Sequence, residues 1–240
     1  MFHHAHSYIA ARLYSEEPLV LVGSMLPDIA VTKIIPWQEG GLHGEEANKK
    51  FRKYIEEKYP EYIDLANGIN AHNILDDTSH LEYHGEPGYA FQNNKKITEL
   101  ISEAYELPED NAKGKAHNYI ESAVDIMLLN KIPEVQTKLR LAVNQIDRNK
   151  LAEVLAEYFT LEVEDVLKAI NQFLDLFTKY DFKQKDNWNN FWQDLEELLA
   201  LKKISTEKRN ILLTESVNIV EKNFDEYLEY SYQAGIRLLT

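Results

Sequence analysis

Residues 67–80 read NGINAHNILDDTSH, and this stretch carries the pattern that decides how the chain folds. His72, Asp76 and His80 are spaced four residues apart, so on a helix they form one row that rises about 6 Å per step. The row continues an apolar stripe formed earlier on the same segment by Tyr62, Leu65, Ala66 and Ile69. The buried face of the predicted helix therefore changes from apolar to imidazole and carboxylate side chains. A buried carboxylate without a partner is costly, so we expect partners from other helices.

A second segment, KAHNYIESAVD at residues 115–125, repeats this arrangement. His117, Glu121 and Asp125 again stand four residues apart, and their row borders an apolar helical face. Because it lies at a boundary, this row is a weaker indication of a buried site than the first. Two helices that offer imidazole and carboxylate groups in parallel rows suit zinc or another borderline metal.

The rest of the chain predicts an all-α protein. Glycine and proline together make up 16 of 240 residues, and the long stretches between them have helical spacing without strand-like alternation. Thr160, Asp186 and Ser205 are candidate N-caps. Two irregular stretches, residues 22–43 and 83–93, interrupt the pattern. The predicted helices are residues 4–16, 44–58, 60–82, 94–105, 113–130, 132–146, 148–158, 161–180, 186–203 and 205–237.

All eight histidines lie at or before position 117. We therefore predict a metal-binding helical core at residues 1–130 and a helical extension at 131–240, packed on the core as one globular unit. Trp188, Phe191 and Trp192 share a helical face in the extension, which favours a role in packing over a ligand-binding role.

Composition excludes several classes of function. The chain has no cysteine, so it has no disulfide, thiolate metal site, cysteine nucleophile or iron–sulfur cluster. A formal net charge of −14 opposes indiscriminate binding to nucleic acid or to an anionic membrane. No apolar segment approaches the ~20 residues that a spanning helix needs. The first residues lack the features of a secretory signal, so we expect a cytoplasmic protein; the sequence indicates no oligomeric state.

The irregular stretch and the first helix add further candidate ligands. Asp28 follows a turn fixed by Pro27, His43 stands just before a predicted helix, and His6 lies in the first one. The complete set, in chain order, is His6, Asp28, His43, His72, Asp76, His80, His117 and Glu121. This order resembles the zinc-dependent phospholipase C family, whose helical fold is shared with single-strand-specific fungal zinc nucleases. The resemblance covers roughly residues 1–130, and additional C-terminal helices follow.

The resemblance implies a ligand set and a chemistry. A zinc pair would be held by His6, Asp28, His43, His72 and Asp76, with Asp76 as the bridge. A third ion would be held by His80, His117 and Glu121. The secreted phospholipases bind zinc through an N-terminal Trp, whereas this chain begins Met1-Phe2, so His3 or His4 is a candidate replacement and the expected number of ions is two or three. Other divalent metals remain candidates.

The expected activity is hydrolysis of a phosphoric ester by a metal-activated hydroxide, with Asp28 and Asp76 closest to the chemistry. The expected substrate is a small phosphodiester or a phospholipid. The alternative is a non-catalytic helical binding module that metals stabilise. An HD-type phosphohydrolase is excluded because the chain has no His-Asp dipeptide, and a di-iron carboxylate bundle is excluded because it has no Glu-x-x-His pair.

Overall fold

The computed structural model describes residues 3–36 and 41–239, and within these ranges it contains helices and no β-strand. The all-α class is confirmed. Two 3-10 helices, Leu26–Thr32 and Pro60–Tyr62, accompany the α-helices. The α-helices are α1 (His3–Leu13), α2 (Pro18–Gly23), α3 (Glu45–Lys58), α4 (Ile63–His80), α5 (Tyr89–Gln92), α6 (Lys95–Tyr105), α7 (Glu109–Lys131), α8 (Glu134–Gln145), α9 (Arg148–Phe159), α10 (Val163–Thr178), α11 (Lys185–Leu198), α12 (Thr206–Val220) and α13 (Phe224–Leu239).

Most predicted helices are present within a few residues of their expected bounds. The structure also contains helices that the sequence did not predict, namely α2, α5 and the 3-10 helix Leu26–Thr32, and the last two lie in the stretches expected to be irregular. Further details differ. The helix expected at 205–237 is two helices, α12 and α13, separated at residues 221–223. Ser205 is an N-cap as predicted, because its hydroxyl accepts a hydrogen bond from the N–H of Lys208. Thr160 is not an N-cap: it adopts a left-handed conformation that ends α9. Asp186 lies inside the first turn of α11.

The described chain divides into two compact units, each assembled from separate segments. Unit A contains residues 6–36, 41–74 and 134–180, and unit B contains residues 3–5, 75–133 and 181–239. Each unit therefore draws on residues from both sides of position 130. The division into 1–130 and 131–240 stays a prediction.

In unit A, two glycines let α2 and α4 approach backbone to backbone. A Cβ atom on Gly68 would lie 2.2 Å from the carbonyl oxygen of Val20, and one on Gly23 would lie 2.4 Å from that of Leu65. No side chain larger than hydrogen fits at this crossing. On the predicted stripe of α4, Leu65 and Ile69 are fully buried. The crossing brings the segment after α2 against the middle of α4.

Unit B has an aromatic and polar core. The rings of Tyr119 on α7 and Trp192 on α11 are stacked, with centroids 3.9 Å apart. The Tyr105 hydroxyl on α6 bonds to the Tyr119 hydroxyl and to Glu196, each at 2.8 Å. The residues expected to pack, Trp188, Phe191 and Trp192, are all buried.

Within residues 3–36 and 41–239, no helix has the length and apolar character needed to cross a lipid bilayer.

Candidate metal centres

Unit A contains a buried cluster of three predicted ligands. His6, Asp28 and His72 each present one ligand atom, and these atoms all lie within 4.8 Å of one another. The two imidazoles are fully buried and Asp28 is 8% exposed. A carboxylate and two imidazoles this close form a donor set suited to a divalent cation.

Three different elements supply these ligands. His6 lies on α1, and its ring stacks on that of His72 with centroids 3.9 Å apart. Asp28 lies in the first turn of the 3-10 helix Leu26–Thr32, directly after Pro27. Proline is favoured at a first helical position because its missing N–H would have no partner there. The turn thus holds the carboxylate close to α4.

A backbone contact orients His72. Its Nδ1 lies 2.8 Å from the carbonyl oxygen of Ser24. A carbonyl oxygen only accepts hydrogen bonds, so Nδ1 carries the proton and the neutral ring has its lone pair on Nε2. Metal-binding histidines are commonly oriented in this way, through the nitrogen that does not bind the metal.

His43 borders the same cluster. Its Nε2 is 3.4 Å from Asp28 Oδ1, and its ring stands nearly perpendicular to that of His72, with centroids 5.2 Å apart. The His43 side chain is 20% exposed. Unit A therefore brings together four residues of the predicted set, and His43 is the one nearest solvent.

Unit B holds a second cluster. His80 at the end of α4 and His117 and Glu121 on α7 present ligand atoms within 4.8 Å of one another. The two imidazole rings are nearly perpendicular, with centroids 5.1 Å apart. Gly88 lies against the last turn of α4, where an added Cβ would stand 2.4 Å from the backbone nitrogen of His80. His117 and Glu121 of the second predicted row therefore lie next to His80, the last residue of the first row.

A short hydrogen bond dominates the electrostatics of this second cluster. His80 Nε2 lies 2.7 Å from Glu121 Oε1, which also accepts a hydrogen bond from the Ser79 hydroxyl at 3.2 Å. Burial by itself would lower the pKa of His80, but the charge and hydrogen bond of Glu121, together with the charge of Asp76, raise it to about 9. Burial would raise the pKa of Glu121, yet the interaction with His80 helps to hold it below its usual range.

His117 has the opposite character. Burial lowers its pKa to about 4, so the ring is neutral near pH 7. Its Nδ1 is buried and has no hydrogen-bond partner among the described residues. A buried imidazole nitrogen without a hydrogen bond fits a metal ligand, because the ion would replace the missing interaction.

Asp76 lies one helical turn after His72 and one before His80 on α4. Its Oδ2 is 3.7 Å from His80 Nδ1. Its role as a bridge between ions stays a prediction.

The N-terminal ligand expected from the resemblance falls partly outside the described residues, because Met1 and Phe2 are not among them. His3 and His4 are described, and neither belongs to a candidate cluster there. Instead, His4 Nδ1 lies 3.2 Å from Asp125, whose carboxylate also accepts the backbone N–H groups of His4 and Ala5. Asp125 therefore caps the start of α1, a favourable place for a carboxylate.

Two contributors to these sites are absent from the sequence prediction. The carbonyl of Ser24 has no side-chain signature, since any residue at that position could supply it. The hydroxyl of Ser79 points at Glu121, but serine is so common on helices that only the neighbouring His80 marks the position.

Comparisons with protein-family models, with curated proteins and with solved structures found no match to this chain.

Proposed function

We propose that this protein is a metal-dependent hydrolase of phosphoric esters, similar to phospholipase C and with zinc as its resident metal. The observation that carries the proposal is the buried convergence of His6, Asp28 and His72 in unit A. Burying these groups is unfavourable unless something compensates for the lost hydration. Two imidazoles and a carboxylate are donors that zinc prefers, and one bound cation would interact favourably with all three.

The number of ligands supports a catalytic site. Structural zinc is usually held by four protein side chains, whereas catalytic zinc keeps three and leaves a position for water or substrate. The unit A cluster has three buried ligands and a more exposed imidazole, His43, beside them. The unit B cluster also has three.

The proposal assigns a role to each group. His6, Asp28 and His72 would hold the metal in unit A, with His43 as a further ligand, and the resemblance adds Asp76 on α4 to the proposed ligand set. His80, His117 and Glu121 hold the metal in unit B. A bound divalent ion supplies a Lewis acid that makes water reactive near neutral pH and neutralises phosphate oxygens.

The protein's own groups prepare the site for this chemistry. The Ser24 carbonyl holds His72 with its Nε2 lone pair available. We assign to Asp28, whose Oδ1 lies 3.4 Å from His43 Nε2, the role of orienting an attacking water or accepting its proton. We propose a small phosphodiester or a phospholipid headgroup as the substrate. The cytoplasmic location stays a prediction.

One observation favours the alternative, a non-catalytic binding module. In unit B, His80 and Glu121 already satisfy each other through a 2.7 Å hydrogen bond, which a structural ion pair would also show. The two functions differ in whether metal loading produces turnover.

The test combines metal analysis with an assay on bis(p-nitrophenyl) phosphate. Purified protein should contain zinc or a related divalent ion, and a chelator should abolish hydrolysis until metal is restored. His72→Ala and Asp76→Asn should each lower activity by about 100-fold or more, because each removes a proposed ligand.

His84→Asn is the matched control. His84 is a histidine outside both clusters: its side chain is 51% exposed and pairs with Glu226. Asparagine tolerates the positive φ found there. Protein that binds no metal would refute the whole proposal, and metal-loaded protein without turnover would leave the binding module as its function.

A further inference from the structure

We propose that Asn73 is a positioning residue that fixes the His43 imidazole at the unit A cluster. This inference rests on the proposed function, since it takes His43 as a metal ligand. Asn73 directly follows His72 on α4 and is 5% exposed.

The Asn73 amide bonds to the backbone on both sides of His43. Its Oδ1 accepts the N–H of Gly44 at 2.8 Å, and its Nδ2 donates to the carbonyl of Leu42 at 3.1 Å. Nδ2 also donates to the carbonyl of Ile69 at 3.2 Å, within α4. The amide orientation is unambiguous, because two of these partners only accept and the third only donates.

These bonds resemble one rung of a β-ladder, with a side-chain amide in place of a second strand. They fix the two peptide groups that flank His43, and therefore the direction in which its side chain leaves the backbone. Gly44 has φ of +86°, a conformation that a non-glycine residue rarely adopts, so this segment has a defined shape. Asn73 holds that shape against α4.

Consecutive residues on a helix point about 100° apart, so the side chains of His72 and Asn73 leave the same turn of α4 in different directions. His72 enters the cluster itself. Asn73 reaches the segment that carries His43, whose Nε2 then lies 3.4 Å from Asp28. One turn of α4 thus fixes the positions of two imidazoles, those of His72 and His43, relative to the Asp28 carboxylate.

Asn70 provides a matched comparison. It lies on the same helix in unit A and also forms hydrogen bonds through both amide atoms, donating to the Tyr14 hydroxyl at 2.8 Å and accepting from Asn48. Its bonds involve neither Leu42 nor Gly44. Asn70→Leu and Asn73→Leu therefore remove similar hydrogen bonds without changing charge, and only the second releases the His43 segment.

The experiment is a Co²⁺ titration of the full chain, monitored by visible absorption, in a His117→Ala background that weakens the unit B site. Asn73→Leu should lower Co²⁺ affinity by about tenfold or more, as is typical when the support of a ligand is lost. Its Co²⁺ spectrum should resemble that of His43→Ala. Asn70→Leu should change affinity by less than about threefold, and thermal unfolding checks that each variant is folded.

A double-mutant cycle separates positioning from general destabilisation. If Asn73 acts through His43, adding Asn73→Leu to His43→Ala should weaken binding by less than about threefold further. Losses that multiply, an unchanged spectrum, or equal effects of Asn73→Leu and Asn70→Leu would each overturn the inference. A parent chain that binds no Co²⁺ or Zn²⁺ would overturn the proposed function as well, so the two failures are distinguishable.

Discussion

At the scale of single residues, the sequence identifies the metal-binding candidates but not their protonation. The four-residue spacing of His72, Asp76 and His80 shows that they share a helical face. The spacing cannot show that the Ser24 carbonyl sets the tautomer of His72, because a contact between a backbone carbonyl and a distant side chain has no signature in the sequence of either segment. The same limit applies to His80 and His117, whose pKa values move in opposite directions in one cluster.

The His80–Glu121 pair predicts how the stability of the metal-free protein varies with pH. Folded His80 keeps its proton up to a pKa of about 9, whereas an unperturbed histidine loses it near 6.5. The folded state therefore binds more protons between these values, and stability falls as pH rises through this window. We expect a loss on the order of 3 kcal/mol, measured by urea denaturation in the presence of a chelator.

Glu121→Gln is the control for this prediction, since it removes the charge that raises the pKa of His80. The variant should lose much of the decline above pH 6.5. Below pH 6.5 the sign reverses, because His117 has a folded pKa of about 4 and is protonated first in the unfolded chain. An equally steep alkaline decline in Glu121→Gln would contradict the assignment.

At the scale of elements, helical periodicity predicts where helices lie better than where they stop. Val220 and Phe224 are both buried and four residues apart, so the apolar pattern runs on through the break between α12 and α13. Thr160 has a side chain suited to an N-cap, yet its left-handed backbone ends the preceding helix. Caps are decided by backbone conformation, which residue type only biases.

The α2–α4 crossing predicts a large effect from a small substitution. Gly68→Ala would place a methyl group 2.2 Å from the Val20 carbonyl oxygen and 2.7 Å from the Ser24 nitrogen. These are backbone atoms, so the helices must separate. We expect a loss of about 2–4 kcal/mol in the free energy of unfolding, measured by chemical denaturation. Metal affinity should fall too, because Ser24 orients His72.

Gly114→Ala is the matched control on α7. A Cβ there meets no atom within 4 Å, and alanine favours a helix interior by about 0.5–1 kcal/mol. This variant should be neutral or slightly more stable. Equal stability changes at the two positions would argue against the close approach of α2 and α4.

At the scale of the whole molecule, sequence order hides which segments belong together. The histidine-free region supplies Trp192, which stacks on Tyr119, while the Tyr54 hydroxyl donates to the Val154 carbonyl at 3.1 Å. The first contact lies in unit B and the second in unit A. Composition divides the chain into a histidine-rich part and a histidine-free part, but only the long-range contacts show that each unit contains residues from both parts.

The charge of the whole chain predicts a strong response to the right metal. A formal charge of −14 is self-repelling, and the proposed cations would reduce it while binding only the folded state. At 100 times its dissociation constant, zinc should add about 2.7 kcal/mol per site. We expect the apparent unfolding temperature to rise by about 5–10 °C for each occupied site, measured by scanning fluorimetry after chelation and reloading.

Two comparisons test whether this rise comes from the candidate clusters. Mg²⁺ at the same concentration should have little effect, because it prefers oxygen ligands over imidazole. His72→Ala combined with His117→Ala should abolish the rise. A full rise in that double variant would place the binding elsewhere on the surface.

The interleaved make-up of the units has a consequence for synthesis on the ribosome. Unit A needs residues 134–180 and unit B needs residues 181–239, so neither can close while only the first 130 residues have emerged. The ligands of both clusters are translated early and wait for distant partners before their surroundings are complete. Contacts of such large sequence separation slow folding. Under the proposed function, the nascent chain would therefore present the imidazoles and carboxylates of both clusters to metal ions before either unit is complete.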